Sequence, residues 1–337
     1  MRHSVLAALA VILLWAVLAL LVILPDSSSA APPRPSLSIP ETAPETEAAA
    51  APLPKAAFDP EFTLRVQTVD GIQSMDLQSY LTGVLLAEMP ASFETESQKA
   101  QAVACRTYAL SRCQNPRHSG AAVCVDSHCC QGWQDPAQAD AAAREKAGAA
   151  VRETDGLVLL YQGELIEATF FSCSGGRTED AAAVWGGNLP YLQAVESPGE
   201  EDAAHFTDEV RIPLADFRAA LEGLNSELCF SGDPGTWVEA VRYTAGGGVG
   251  QMKLGGQFFQ GTALRRAFSL RSTAFHLSLT ETEAIFTTRG NGHRVGMSQY
   301  GAEAMARAGN DFERILKWYY QGAALIRADE MESVFLS

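Results

Sequence analysis

"LTGVLLAEMP", residues 81–90, is apolar over most of its length and then carries a carboxylate, Glu88. Counted from Leu77, the apolar positions are Leu77, Tyr80, Leu81, Val84 and Leu85, the i, i+3, i+4, i+7, i+8 stripe of an amphipathic helix. The next position on that stripe, i+11, is Glu88. Asp76 is suited to cap this helix and Pro90 to stop it, so the spacing puts the glutamate in the last turn on the core side. A helix C-terminus offers no favourable dipole to a carboxylate, and burial disfavours its charged form. Both effects predict a carboxyl that holds its proton, as a general acid must. The alternative is a glutamate that leans into solvent or is held in a salt bridge.

The chain around it has 337 residues, 47% of them hydrophobic, enough for one or two packed domains. A formal net charge of −15 argues against nucleic acid as a partner, and an anionic substrate would need a locally basic site. Val5 to Leu24 is an uninterrupted apolar run of 20 residues behind Arg2 and His3. As a helix it matches the roughly 30 Å hydrocarbon core of a bilayer. It is longer than the roughly 7–15 apolar residues of a secretory signal, although "SSSAA" after it could serve as a cleavage site. No Lys or Arg follows until Arg34, so the positive-inside rule puts the N-terminus in the cytoplasm and the rest outside. Residues 1–25 are therefore expected to be a single-pass anchor in the cell membrane. Residues 26–57, rich in Pro, Ala, Ser and Glu, read as a disordered linker.

Residues 58–337 read as a single extracytoplasmic α+β region, with helices and strands around a substrate cleft. "FTLRVQTVDG" suggests a strand and turn. A second helix is expected from Thr95, where Thr95-x-x-Gln98 matches a capping box, with alanines that suit close packing. Lys99 and Arg106 share one face of it, seven residues apart. An alanine-rich helix near 137–150, strands within 156–171, strands around the glycine turn of 236–256, a hairpin over 274–288 and two closing helices near 298–308 and 311–320 complete the pattern.

Six stretches together resemble the stage II sporulation protein D family, which includes amidase-enhancer relatives. They are "YLTGVLLAEMP", "ESQKAQAVACRTYAL", "ATFFSCSGGRTED", "VWGGNLPYLQAVESP", "LRSTAFHL" and "GNGHRVGMSQYGAEAMARAG", in the family's order over residues 79–308. The resemblance implies a lytic transglycosylase of peptidoglycan, active in septal wall remodelling and engulfment in endospore-forming bacteria. Such enzymes cut between N-acetylmuramic acid and N-acetylglucosamine and leave a 1,6-anhydro end. It implies Glu88, in "AEMP", as the catalytic residue, and as partners a wall amidase and a membrane scaffold of the engulfment machinery. The other motifs are expected to build the cleft. Ser172, Ser174, Gly175, Gly176, His293, Ser298 and Gln299 offer sugar hydrogen bonds and close backbone approach, and Tyr191 and Trp185 offer stacking faces. Arg106 and Lys99 would meet the lactyl carboxylate of muramic acid. For each of these the competing reading is structural: a glycine turn, a packed aromatic or a solvated basic face. Arg294 stands where the family usually has glycine.

"RHSGAAVCVDSHCCQGW" brings His118, Cys124, His128, Cys129 and Cys130 into one loop. Disulfides are the default outside the membrane, yet two of these cysteines are adjacent and the chain has seven, an odd number. Thiolates with imidazole suit tetrahedral zinc. The family resemblance adds that some members hold zinc with His and Cys in this loop, in the His-x5-Cys-x5-Cys spacing of His118, Cys124 and Cys130. Cys129 or His128 would then complete a closed, structural site. Two other functions compete with the transglycosylase: a glycan-binding, non-enzymatic enhancer of a wall amidase, and a cysteine hydrolase built on Cys173 and His293.

Overall fold

The computed structural model describes residues 57–331, and the expected anchor (1–25) and the linker up to residue 56 lie outside the described residues. Among the described residues no helix is long and apolar enough to cross a membrane. The helices described are α1 (Leu77–Glu88), α2 (Thr95–Gln114), α3 (Ala141–Glu153), α4 (Ala181–Trp185), α5 (Leu214–Leu224), α6 (Gly261–Ala267), α7 (Gln299–Arg307) and α8 (Phe312–Tyr319). With the strands they make a mixed α+β fold, as the sequence pattern predicts.

The fold is organised around two apolar cores. In the first, strands Thr63–Thr68 and Gly71–Asp76 form an antiparallel hairpin that delivers the chain into α1. Asp76 ends the second strand and caps the helix, its Oδ1 accepting from Ser79 N at 2.8 Å. Leu77, Tyr80, Leu81, Val84 and Leu85 are all buried, as their spacing requires. The helix stops at Glu88 because Met89, the residue before Pro90, is held extended. α2 crosses the centre of this core and packs on α1, α3, α7 and α8. Its alanines at 100, 102, 104 and 109 are fully buried, which lets the helix backbones approach closely.

α2 begins where expected but not by the expected cap. Thr95 already lies inside the first turn, and the residue before the helix, Glu94, makes no side-chain cap. The carboxylate of Glu303, on α7, satisfies that end instead. It accepts from Glu94 N at 2.6 Å and from Ser97 Oγ at 2.9 Å.

The second core is aromatic. Glu283–Arg289 lies between Phe275–Leu279 and Thr207–Pro213 in one antiparallel sheet, and Val238–Tyr243, Val249–Leu254 and Gln257–Gln260 form another. Phe217 of α5 stacks on Phe268 with ring centroids 5.2 Å apart, and Phe286 packs against both.

A short parallel pairing lies between the two cores. Met297–Ser298 pairs with Phe170–Phe171, and bridges continue it at Cys173 with Asn291 and at Glu179 with Val295. This aligns "SCSGG" beside "GNGHRVGMSQ", so two motifs more than a hundred residues apart become one wall. Arg294 locks that wall to the second core. Its φ of +66° is the left-handed conformation that favours glycine. Its guanidinium is buried, donating to Ser174 O at 2.7 Å, Arg177 O at 2.7 Å, Gly246 O at 2.8 Å and Glu179 Oε1 at 3.2 Å.

Candidate active site

Glu88 lines a cleft of about 670 Å³. One side of the cleft is the Cys/His loop, and the other is the wall of Phe170–Ser172 and Asn291–His293. The loop is docked on α1 at Gly83, where Gln134 N donates to Gly83 O at 3.1 Å. Any side chain at Gly83 would collide with the Trp133 ring, 2.1 Å from where its Cβ would lie. Docked in this way, the loop brings Gly132 N to 2.6 Å from Glu88 Oε1. A Cβ at Gly132 would stand 2.9 Å from that oxygen, so only glycine allows the approach.

Burial pushes the Glu88 carboxyl above its ordinary value, while the Gly132 N–H and the amide of Gln299 partly oppose this by favouring the charge. Gln299 Nε2 closes no full hydrogen bond among the described residues, and neither does Gln131 Nε2 on the same cleft. The Gln299 amide is directed at the Glu88 carboxylate, and that of Gln131 at the buried Cys105 thiol.

His293, Ser172, Gln299 and Trp185 do line the cleft. Trp185 ends α4, half exposed, with its ring centroid 5.3 Å from His293, which also packs on Phe171 at 5.6 Å. Burial, then the charge of Arg265, pushes the His293 imidazole down to about 4, against a bond to the Phe170 backbone. His293 Nδ1 accepts from Val295 N at 3.1 Å, so the ring is a neutral, fixed part of the wall. Cys173 lies behind that wall, fully buried, with its thiol pushed up to about 12 by burial and then by Glu200. Such a thiol supplies no thiolate, and the cysteine-hydrolase reading fails.

Several expected cleft residues lie elsewhere. Arg106 is 0% exposed, and its Nε donates to Asp59 Oδ1 at 2.8 Å while its Nη atoms reach Leu157 O and Val151 O, each at 3.2 Å. It is a structural ion inside the first core. Lys99 is engaged by Glu153 at 2.6 Å and Glu96 at 2.9 Å and does not line the cleft. Neither can meet a substrate carboxylate there, because each already has its counter-charge. Ser174, Gly175 and Gly176 form a turn behind the wall, stapled by the buried carboxylate of Glu200. Ser174 N donates to Glu200 Oε2 at 2.5 Å and Gly175 N at 3.1 Å, while Gly176 N donates to Ser174 Oγ at 3.0 Å. Tyr191 is buried against Tyr161, and its hydroxyl accepts from Glu167 N at 3.1 Å. Ser298 is the N-cap of α7, accepting from Gly301 N at 3.2 Å, and so aims Gln299 into the cleft. These residues shape the site from behind.

Two charged cleft residues escape a sequence reading, Arg117 and Glu167. Arg117 opens the Cys/His stretch but is no metal donor there, and Glu167 directly precedes "ATFF", so the local pattern gives neither a cleft role.

In the Cys/His loop, donor atoms of His118, Cys124, Cys129 and Cys130 all lie within 4.8 Å of one another. His118 Nε2 is 3.3 Å from Cys130 Sγ and 3.6 Å from Cys129 Sγ. A tetrahedral metal with bonds of roughly 2.0–2.3 Å would space its ligands roughly 3.3–3.8 Å apart. The four donors fit such an ion. His128 is turned to solvent beside Asp126, which leaves Cys129 as the fourth donor.

The chain is similar to known proteins over most of its length. The sequence profile of the stage II sporulation protein family matches residues 65–161, which hold α1, α2, the Cys/His loop and α3. The chain is 31% identical over 283 residues to the stage II sporulation protein D of Bacillus subtilis (strain 168), covering 79% of each chain. It is 32% identical over 278 residues to the protein of that name from Bacillus amyloliquefaciens, covering 79% of this chain and 78% of the relative. A more distant relative, 28% identical over 293 residues, is an amidase enhancer of Bacillus subtilis (strain 168), of which 40% is covered. At that identity and coverage, this chain belongs to the stage II sporulation protein D family.

Proposed function

We propose that the chain is a lytic transglycosylase of peptidoglycan, with Glu88 as both acid and base. The observation that carries this reading is a carboxyl at a cleft, biased by burial to keep its proton and held at 2.6 Å by Gly132 N–H. In that form Glu88 protonates the glycosidic oxygen between muramic acid and glucosamine, and the C1–O bond breaks. As a carboxylate it then takes the proton from the muramic C6 hydroxyl as that oxygen closes on C1. The result is a 1,6-anhydro end with no water consumed. Gln299, on the cleft wall beside Glu88, supplies a polar group for sugar oxygens or N-acetyl carbonyls, and Trp185, backed by His293, offers a stacking face.

Zinc on His118, Cys124, Cys129 and Cys130 would be structural, since protein fills all four positions, and would hold the loop that carries Gly132. The apolar N-terminal segment would anchor the protein in the membrane, with this region outside the cytoplasm at the sporulation septum. A wall amidase and an engulfment scaffold would be its partners there.

The amidase-enhancer relative motivates a second reading, a glycan-binding protein without turnover. One experiment separates the two. Full-length protein and its Glu88→Gln variant are incubated with peptidoglycan, and the glycan ends are identified by mass spectrometry. Wild type should release anhydro-ended fragments, and Glu88→Gln should release none while still binding glycan. The sign of the pH dependence follows from the raised carboxyl: Glu88 keeps its proton as pH rises past the ordinary 4.5 of a glutamate, so activity should persist above that pH before falling. The same shift means that folded protein holds a proton the unfolded chain has lost, so it costs stability as pH rises through that window. Glu88→Gln should therefore melt no lower than wild type at neutral pH. Anhydro ends from the variant, or none from wild type, would sink the enzyme reading.

A further inference from the structure

A one-carboxyl mechanism leaves positive charge at C1 of the muramic sugar after the leaving oxygen is protonated, with Glu88 on the leaving-group side. The structure holds a second carboxylate on the same cleft. Glu167 lines it together with Glu88, and its side chain is 37% exposed. Its position is fixed from two directions. Its Oε2 accepts from Arg112 Nη2 in an ion pair. Arg112 is itself buried, with its guanidinium carbon 4.9 Å from the centre of the Tyr108 ring, another residue of the cleft. The backbone N–H of Glu167 is held by the hydroxyl of buried Tyr191. Its second oxygen, Oε1, accepts no bond among the described residues. A charge held by buried partners with one oxygen left over is a pre-organised group, whereas a surface ion pair has two mobile ends.

We propose that Glu167 is a second catalytic carboxylate, which stabilises the positive charge that develops at C1 of the muramic sugar. The proposal rests on the transglycosylase reading above. The atoms balance without it: the C1–O bond to the leaving sugar breaks, Glu88 gives that oxygen a proton, the C1–O6 bond forms, and the C6 hydroxyl proton returns to Glu88. Glu167 gains and loses nothing. It acts by charge alone, and the partly enclosed cleft makes that charge count for more than it would in open water. The oxocarbenium-like transition state of glycoside cleavage is the state that benefits, and ground-state binding is not.

The test compares full-length wild type, Glu167→Gln and Glu167→Asp on peptidoglycan, with product ends, kcat, KM and melting temperature all measured. Glu167→Gln should lower kcat by roughly 10²–10³-fold at unchanged KM and still leave anhydro ends on what it cuts. Glu167→Asp, which keeps the charge on a shorter arm, should recover most of that loss. A purely structural ion pair would move the melting temperature and leave kcat alone. A folded Glu167→Gln with kcat within about threefold of wild type would overturn the proposal, and so would a loss confined to KM. If Gln at 167 prevents folding, Glu167→Asn carries the test in its place, with the same lowered kcat at unchanged KM expected and an unchanged kcat overturning the proposal. Absence of anhydro ends from wild type would instead refute the transglycosylase reading itself.

Discussion

Arg106 pays for its burial with a single counter-ion, and the balance between the two is informative. Burial pushes the Asp59 carboxyl above its usual value even with the Arg106 guanidinium against it, so desolvation outweighs the attraction. The pair is then no large source of stability, but removing one half of it strands the other. Arg106→Ala should cost roughly 3–5 kcal/mol. Urea unfolding should show a lowered midpoint at an unchanged slope, and the folded fraction should keep its glycan affinity. An unchanged midpoint with lost affinity would restore Arg106 to the cleft. The contrast with Glu88 shows what a single sequence reveals about a residue. Both side chains lie on the inward side of a helix. Glu88 is readable because its apolar stripe, its helix end at Pro90 and the bare C-terminus are all local. The counter-ion of Arg106 is 47 positions away, and the Arg112 partner of Glu167 is 55 away. No periodicity encodes either distance. The roles of Tyr191, Ser174 and Ser298 are hidden for the same reason, since a hydroxyl looks alike in sequence whether it meets a sugar or a backbone.

At the scale of the element, the Cys/His loop joins structure to chemistry. Strand Val123–Cys124 pairs with Val66–Gln67, and Asp126 O accepts from Cys129 N at 3.0 Å and Cys130 N at 2.8 Å. The turn thus made points adjacent cysteines at one spot, and two residues later the chain presents Gly132 N to Glu88. Val125, Cys130 and Trp133 pack the ends of this turn against the first core, and a metal would add order to the four donors between and beside them. The full-length protein purified without chelator should contain about one zinc per chain by elemental analysis. Cys124→Ser or Cys130→Ser should lower the melting temperature, and chelation should speed amide exchange at 126–132 more than in α1. Metal-free protein with disulfides by mass spectrometry would refute this. Elements of this kind were only half legible. Hairpins and helices follow from alternation and 3.6-residue spacing, as the match at Asp76–Glu88 shows. The start of α2 was visible, but its cap by Glu303 was not, because that carboxylate arrives from α7.

For the whole molecule, the dominant physical fact is a charge of −15. The proposed substrate is an anionic polymer, so long-range forces oppose the encounter before any cleft contact forms. Within the cleft the charges are mixed, with Arg117 beside Glu88 and Glu167, and Arg117 Nη1 is tied to Cys129 O at 3.3 Å. One arginine cannot offset the field of the whole chain at a distance, though it can act at contact. The proposed anchor and linker would resolve this by raising the local concentration at the wall, which makes electrostatic steering unnecessary. The two ranges separate with ionic strength. The screening length falls from about 30 Å at 0.01 M salt to about 10 Å at 0.1 M, which removes the general repulsion while a contact of a few ångströms survives. Binding of the full-length protein to isolated wall should therefore strengthen as salt rises from about 10 to 150 mM. Sedimentation of the protein with wall fragments across that range measures it directly. A steady loss of binding with salt would mean that local cations, Arg117 foremost, govern the encounter and that the net charge does not.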